Sequence, residues 1–250
     1  MAKYIILDTE TTGISEIDRV IQLGYIVLGK PSEKVEVHNE FCSTDVEIGL
    51  GAMETHHITP EMLEGKVKCV DMQAYKRLVE LNSDDNYMII HNAPFDLGML
   101  EKEGFKNQMQ LIDTLRCAKH LYTEEDYHRL QYLRYSLELY KNEESEANKL
   151  GIVIKAHDAI GDVLILKLFM SALTKKVKET YPNENPMQKL VELTSEPVYM
   201  NKPLRFGKYK GKTVEDLVIS DRGYIDWMRK NMDLDEDMQY TLKKALGEVS

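Results

Sequence analysis

The hydrophobic pattern of the first two thirds of the chain predicts a sheet interleaved with helices. Five apolar runs rich in β-forming residues predict strands, at 3–9, 20–28, 34–42, 87–91 and 110–112. A Gly-Lys-Pro-Ser turn at 29–32 separates the second run from the third, so the first three runs predict an antiparallel meander.

Apolar residues recur at helical spacing between and after these runs. The pattern predicts helices at 69–81, 93–104, 113–122, 130–140 and 158–173. In the helix at 93–104, Asn92 is the expected N-cap and Gly104 the stop. Strands that come first and then alternate with helices predict an α/β sheet with helices packed against it.

The pattern breaks after Thr174. Lysines at 175–178 and the polar Tyr181–Pro186 stretch predict a solvated linker over 175–202, with a short helix at 187–194. We therefore predict a first domain at 1–174, a linker at 175–202 and a small α+β domain at 203–250.

Composition excludes several classes of protein. With 43% hydrophobic and 30% charged residues, the chain is neither disordered nor a membrane protein. Three cysteines without CxxC spacing fit neither a disulfide framework nor a zinc finger, and they predict reduced thiols in a cytoplasmic protein without a signal peptide. The net charge of −10 argues against a nucleic-acid partner only weakly, because carboxylates that bind divalent metals also make a chain acidic.

Three groups of polar residues are candidates for chemistry. Asp8 and Glu10 share one face at the end of the first strand, where two carboxylates repel each other unless a cation lies between them. Asp96 lies one turn into the helix that follows Asn92. Taken alone, each group also fits an ordinary structural role, as a polar turn or an acidic first helical turn.

The third group is His157 with Asp158 and Asp162. The two aspartates share one face at the start of the last long helix, so spacing alone leaves open which of them is functional.

In this order and combination, the three groups resemble the motifs of the DEDDh exonucleases over about residues 1–174. The resemblance implies an RNase H-like fold, a mixed sheet flanked by helices. It implies Asp8, Glu10, Asp96 and Asp162 as metal ligands and His157 as general base, and it selects Asp162 over Asp158. The segment 55–59 also resembles the family's His-Gly-Ile-Thr loop, with His57 where glycine is usual.

The resemblance also implies the cofactor and the substrate pocket. Two Mg²⁺ ions, for which Mn²⁺ can substitute, would neutralise the four carboxylates, and hard oxygen ligands suit them. Four residues are expected to line the pocket for the terminal nucleotide: Thr11, His56, Asn92 and Phe95. Phe95 can stack on a base, although ordinary packing beneath the helix start explains it as well.

The tail contains a near match to a phosphate-binding loop. Gly207–Thr213 has three residues between glycines where such a loop needs four, so we exclude triphosphate binding. Arg205, Lys208, Lys210 and Lys212 remain as a basic loop interleaved with aromatic rings, which fits either a single-strand binding surface or a solvated turn. This stretch, with 224–227, resembles the C-terminal domain of exodeoxyribonuclease X-like proteins.

The sequence therefore predicts a metal-dependent 3′→5′ exonuclease that acts on DNA 3′ ends, with no membrane partner. RNA trimming and polymerase proofreading are alternatives within the class. A non-catalytic DNA-binding protein on a nuclease fold is the alternative from another class, but it would have no use for a repulsive acidic cluster.

Overall fold

A mixed five-stranded sheet organises the larger part of the molecule. The structure is a computed structural model, and it describes residues 2–153 and 159–249. The strands are β1 (Tyr4–Thr11), β2 (Val20–Leu28), β3 (Glu36–Phe41), β4 (Tyr87–Ile90) and β5 (Gln110–Asp113). Their order is β3-β2-β1-β4-β5, in which β1, β2 and β3 pair antiparallel while β4 and β5 pair parallel to β1. The predicted meander and the two later strands are confirmed.

Twelve α-helices occur in the described residues. They are α1 (Leu50–His56), α2 (Pro60–Leu63), α3 (Gln73–Leu81), α4 (Ala93–Lys102), α5 (Thr114–Leu121), α6 (Leu130–Ser136), α7 (Glu143–Leu150), α8 (Ala159–Thr180), α9 (Pro186–Ser195), α10 (Val214–Ser220), α11 (Arg222–Asn231) and α12 (Glu236–Ala245). None of the described helices has the length and apolar character needed to cross a bilayer.

Hydrophobic layers cover both faces of the sheet. On one face, Ile6, Ile89 and Ile112 pack against α5, α6 and α8. On the other, Ile5, Leu7 and Met88 pack against α3 and α4. Alternate residues of one strand point to opposite faces, so β1 supplies both layers. This is the RNase H-like arrangement that the sequence predicts, a mixed sheet flanked by helices.

The predicted helix at 130–140 is two elements. α6 ends at Ser136, and a 3₁₀ turn occupies Leu139–Asn142. Between them Glu138 adopts φ 55°, a left-handed conformation that interrupts an α-helix. The apolar stripe predicted the buried face but not this break.

Residues 175–195 differ from the solvated linker predicted over 175–202. α8 continues to Thr180 and buries Val177. α9 then packs against α5 and β5 and buries Leu190 and Leu193 in the same cluster as the sheet. Lys175 and Lys178 are exposed on α8, whereas apolar residues of the same stretch complete the core.

The tail unit, residues 203–249, has a small core of its own. Leu204, Leu217, Ile225, Met228 and Leu242 are buried within it. The α+β composition predicted for this unit is wrong in its β part: residues 203–249 contain helices α10, α11 and α12 and no strand. Two backbone hydrogen bonds that join Leu204 to Gly211 and Lys212 only close the basic loop.

A buried ion pair joins the tail unit to the sheet domain. Arg116 on α5 donates to both carboxylate oxygens of Asp237 at 2.8 and 2.6 Å, and also to the backbone carbonyl of Glu196. Asp237 accepts a further hydrogen bond from the Val198 N–H. The tail unit is thus held against α5 at a defined position.

Candidate active site

The site lies where β1 ends and α4 and α8 begin. Asp8 and Glu10 are two residues apart on β1 and therefore point to the same face. Asp8 pairs with Gly24 of β2. A Cβ at Gly24 would lie 2.9 Å from the Cβ of Ala159 and from the Ile160 nitrogen, so glycine allows the start of α8 to approach Asp8.

Asp96 is placed by α4 and held by β1. It is buried at 3% exposure, and its Oδ1 accepts hydrogen bonds from the Thr9 N–H at 3.0 Å and the Thr9 hydroxyl at 2.7 Å. Thr9 lies between Asp8 and Glu10 in sequence, so the strand that carries two of the carboxylates also orients the third.

The start of α4 is stabilised by a residue other than the predicted cap. Asn92 adopts φ 73° and its side chain caps nothing. The Asp113 carboxylate at the end of β5 instead accepts from the N–H groups of Asn92 and Ala93 at 3.0 and 3.2 Å. Asp113 also caps α5 through the Leu115 N–H at 2.9 Å, so one carboxylate fixes two helix starts.

Asp162 lies in the first turn of α8 and contacts α6. The Gln131 amide donates to Asp162 Oδ1 at 2.6 Å. Arg134 donates to Gln131 Oε1 at 3.2 Å and forms a bidentate pair with Glu143 at 2.5 Å. A chain of three polar residues thus leads from α7 to this carboxylate.

Electrostatics show that the four carboxylates are neighbours. Burial raises the pKa of Asp8 well above its usual range, and repulsion from Asp96, Asp162 and Glu10 raises it further. Burial raises the pKa of Asp96 to about 7, against hydrogen bonds from Thr9 that lower it. Three separate segments thus bring their negative charge to one place, and we call these four residues the carboxylate site.

The carboxylate site fits divalent cations in donor type. Hard oxygen ligands suit Mg²⁺, and the repulsion at Asp8 is what a cation would relieve. Within the described residues no three His, Cys, Asp or Glu side chains are already arranged to hold a metal ion. Asp96 and Asp162 instead accept hydrogen bonds from Thr9 and Gln131. The residues therefore match a divalent cation in donor chemistry, whereas their described arrangement is not yet that of a metal-binding group.

His157 and Asp158 lie outside the described residues. The predicted general base and the alternative aspartate therefore stay predictions. The described start of α8 places Asp162 within electrostatic reach of Asp8.

His56 and Thr11, two of the predicted pocket residues, are bonded to each other. The Ile58 N–H donates to His56 Nδ1 at 3.0 Å, so the proton is on Nε2, which donates to the Thr11 carbonyl at 3.1 Å. Burial lowers the pKa of His56, which keeps the ring neutral. Both ring nitrogens are used within the protein, so His56 braces the end of β1.

The remaining pocket residues differ in exposure. Asn92 is exposed at the start of α4, whereas Phe95 is half-buried against the cluster beneath that helix. His57, where the related loop has glycine, adopts φ 60°. That left-handed conformation is the one glycine enters most easily.

Sequence reasoning missed the residues that orient the carboxylates: Thr9, Gln131 and Asp113. Thr9 has a detectable signal, a hydroxyl between two acids on a buried strand. Gln131 and Asp113 have none, because their partners are distant in sequence.

Comparison with known families extends this description. The family model described as Exonuclease matches residues 5–169, and that described as Exodeoxyribonuclease X-like C-terminal matches residues 204–233. The chain is 28% identical over 214 residues to DNA polymerase III PolC-type of Bacillus subtilis and 30% identical over 187 residues to that of Listeria monocytogenes. These alignments cover 78% and 72% of the chain but only 13% and 12% of those much longer relatives.

Solved structures share the fold. A structure of Exonuclease X in complex with 5′-overhanging duplex DNA aligns with a TM-score of 0.53 at 19% identity, over 78% of this chain and all of that chain. Escherichia coli Exonuclease I in complex with a dT13 oligonucleotide aligns with a TM-score of 0.54 at 19% identity, over 73% of this chain and 43% of that chain. At this identity the likeness concerns the architecture.

Proposed function

The chain belongs to the Exonuclease family, and from that premise we propose that it is a 3′→5′ exonuclease that hydrolyses DNA with the help of divalent cations. The observation that carries the proposal is the convergence of four carboxylates: burial raises the pKa of Asp8, and repulsion from Asp96, Asp162 and Glu10 raises it further. Such a cluster destabilises a protein unless a cation neutralises it.

Each element of the site has a task in this proposal. The four carboxylates would hold the ions, and Thr9 and Gln131 would orient Asp96 and Asp162. When bound, a pair of such ions supplies activation of water and stabilisation of charge at the scissile phosphate. His157 would accept the proton of the attacking water, a role that suits an imidazole near neutral pH.

DNA as the substrate is supported by two comparisons. The tail matches the exodeoxyribonuclease X-like C-terminal model, and the two aligned exonuclease structures contain DNA. Cations at a phosphate do not distinguish ribose from deoxyribose, so the sugar preference would lie in the pocket formed by Thr11, Asn92 and Phe95.

The test compares matched DNA and RNA oligonucleotides, labelled at the 5′ end, in Mg²⁺ and in EDTA. We expect a ladder of DNA shortened from the 3′ end in Mg²⁺ only, with slower loss of RNA. Asp162→Ala should reduce turnover more than about 100-fold, since loss of even an outer-shell partner costs 10–100-fold in metal affinity. Asp158→Ala is the matched control and should keep most activity.

Three results would contradict the proposal. Internal cuts would refute exonuclease polarity, and equal turnover in EDTA would refute the metal requirement. Full activity of Asp162→Ala with loss in Asp158→Ala would show that the other aspartate is the ligand.

Proofreading is a second candidate, and the likeness to the PolC-type polymerases favours it. A proofreading enzyme should act together with a DNA polymerase. The proposal of proofreading therefore predicts faster removal of a mismatched primer terminus when a replicative polymerase is added, whereas an independent exonuclease is unaffected.

A further inference from the structure

Two arginines from distant parts of the chain meet on one exposed tyrosine. The Arg129 Cζ lies 5.0 Å from the ring centroid of Tyr127, and the Arg205 Cζ lies 5.3 Å from the same centroid. Arg129 directly precedes α6, whereas Arg205 belongs to the basic loop of the tail unit. Tyr127 is 43% exposed, so this contact between the two units also presents an aromatic surface to solvent.

The contact connects to the carboxylate site on one side. Gln131, two residues after Arg129, donates to Asp162. Gln131 lies in the first turn of α6, close to its N-terminal end. A strand of nucleic acid that leaves the carboxylate site past this end of α6 would therefore meet Arg129 and Tyr127 first.

The contact connects to the basic loop on the other side. Tyr209 donates to Asp221 at 2.6 Å, and Lys208 lies 3.7 Å from the same carboxylate, so these two residues fix the loop. Lys210 and Lys212 are exposed beside them, and the neighbouring Phe206 ring is 38% exposed. We call the set of Tyr127, Arg129, Arg205, Lys210 and Lys212 the basic strip.

The charges of the basic strip are available to a ligand. Within the part of the chain that the structure describes, no carboxylate forms an ion pair with Arg129, Arg205, Lys210 or Lys212. Arg116 and Arg134, by contrast, are neutralised by Asp237 and Glu143.

Acidic residues border the strip at both ends, and at the loop end Asp216 has its pKa lowered by hydrogen bonds from Thr213 and, more weakly, by the charge of Lys212. Glu125 and Asp126 lie close enough to Tyr132 to influence its hydroxyl, and Glu124 faces Lys176 at 4.0 Å. In a chain of net charge −10, unpaired cations that surround exposed rings favour a polyanion with aromatic bases.

We propose that the basic strip binds the single-stranded DNA that precedes the 3′-terminal nucleotides. Arg129, Arg205, Lys210 and Lys212 would contact successive phosphates, and Tyr127 would offer a stacking surface between the two units. The proposal rests on the function proposed above and assigns the tail unit a role in holding substrates too long to be bound by the carboxylate site alone.

The binding test uses the double variant Arg129→Ala/Arg205→Ala in the full chain. Affinity for a single-stranded 20-mer is measured by fluorescence anisotropy in EDTA between 50 and 200 mM salt. We expect roughly 10-fold weaker binding and a salt slope reduced by about 1.4, since each lost phosphate contact on a single strand removes about 0.7. Lys30→Ala/Lys34→Ala, which removes two exposed cations at the turn between β2 and β3, is the charge-matched control and should bind as the wild type does.

A hydrolysis test separates the strip from the site. For the arginine double variant, kcat/KM should fall for the 20-mer and stay unchanged for a trinucleotide, which is too short to leave the site. Arg129→Lys/Arg205→Lys keeps both charges and should retain the salt slope. An equal thermal midpoint shows that the variants are folded.

The outcomes distinguish the two proposals. If the alanine variant binds and digests the 20-mer like the control, the basic strip has no such role and the exonuclease proposal stands. An equal loss on the trinucleotide would place the effect within the site and also refute the strip. Strip-dependent binding without any hydrolysis by the wild type would refute the proposed function and leave the binding surface intact.

Discussion

The carboxylate site and the tail unit handle charge in opposite ways. In the site, four acids from three segments are brought together and partly buried, which raises the pKa values of Asp8 and Asp96. In the tail unit, the basic residues of the loop remain exposed around a small core of their own.

Buried acids and exposed basic residues depend on a ligand to different degrees. Like charges inside the protein lower its stability until a counter-ion binds. Exposed charges are solvated by water, so they lower stability little and remain available to a ligand. The site is therefore expected to gain stability when a cation binds, and the tail unit is expected to be stable without one.

The largest expected effect is the loss of turnover in Asp8→Asn, which is accompanied by a smaller gain in stability. Asp8→Asn removes one charge from the repulsive cluster, so in EDTA the free energy of unfolding should rise by on the order of 1 kcal/mol. The same change should lower exonuclease turnover more than about 100-fold, because a ligand is lost. Thermal unfolding in EDTA and in Mg²⁺, with a turnover assay, measures both.

Asp45→Asn is the control for this experiment. Asp45 is 92% exposed and, among the described residues, forms an ion pair with Lys68 on the surface, so neither quantity should change. A loss of stability in Asp8→Asn without metal would show that the carboxylates do not repel one another as described.

The next effect is at the ion pair between the two regions. Arg116→Ala removes the nearer cation from the mostly buried Asp237 and leaves it only the more distant Lys119 at 3.9 Å among the cations the structure describes, so we expect a loss of about 3 kcal/mol in the free energy of unfolding. Arg229→Ala breaks a similar pair with Glu248, but one that is more than a third exposed, and should cost less than about 1 kcal/mol. Urea unfolding of both variants makes the comparison, and equal losses would mean that the contact does not hold the tail unit in place.

The smallest effect is the pH dependence that His91 contributes next to α4. The Thr114 hydroxyl donates to the Ile90 carbonyl, so His91 Nδ1 carries the proton that reaches Thr114 at 2.9 Å. Nε2 is buried without a partner at full hydrogen-bond geometry among the described residues, and the nearby His128 backbone opposes the effect of burial on the pKa only in part. Burial lowers the pKa of His91 to about 4.

The sign follows from which state takes up the proton. Below pH 6.5 the imidazole is protonated in the unfolded chain but stays neutral in the folded protein. Protonation therefore stabilises the unfolded state, and the free energy of unfolding falls as the pH decreases from about 6.5 to about 4. At about 1.4 kcal/mol per pH unit, we expect a loss of about 2 kcal/mol from this residue by pH 5. Urea unfolding of wild type and His91→Asn at several pH values measures it, and an unchanged pH dependence in the variant would contradict the assignment.

The sequence predicted the sheet well because its strands are short runs of β-forming residues bounded by turns. Such runs are too short and too rich in β-branched residues to favour a helix. The prediction failed for the C-terminal end of the 22-residue α8. This helix continues past Thr174 because Val177 packs into the core, but the lysines on either side of Val177 in sequence made the segment resemble a solvated linker. The break at Glu138 is a local backbone conformation that apolar spacing does not encode.

The sequence predicted the acids of the candidate site but not the residues that hydrogen-bond to them or cap their helices. Asp8, Glu10, Asp96 and Asp162 stand out only in combination, because their order and spacing together resemble the motifs of a known family. Asp113 was read only as the start of α5, and its second task at α4 appears when β4 and β5 lie side by side.

By itself the sequence singled out the candidate acids, because residue type and short-range spacing are local properties, and the family resemblance selected Asp162 over Asp158. Tertiary structure alone decided which partners hold those residues, and that Arg129 and Arg205 meet on Tyr127. Those contacts join positions tens of residues apart, and their energies depend on distances that only the folded chain sets.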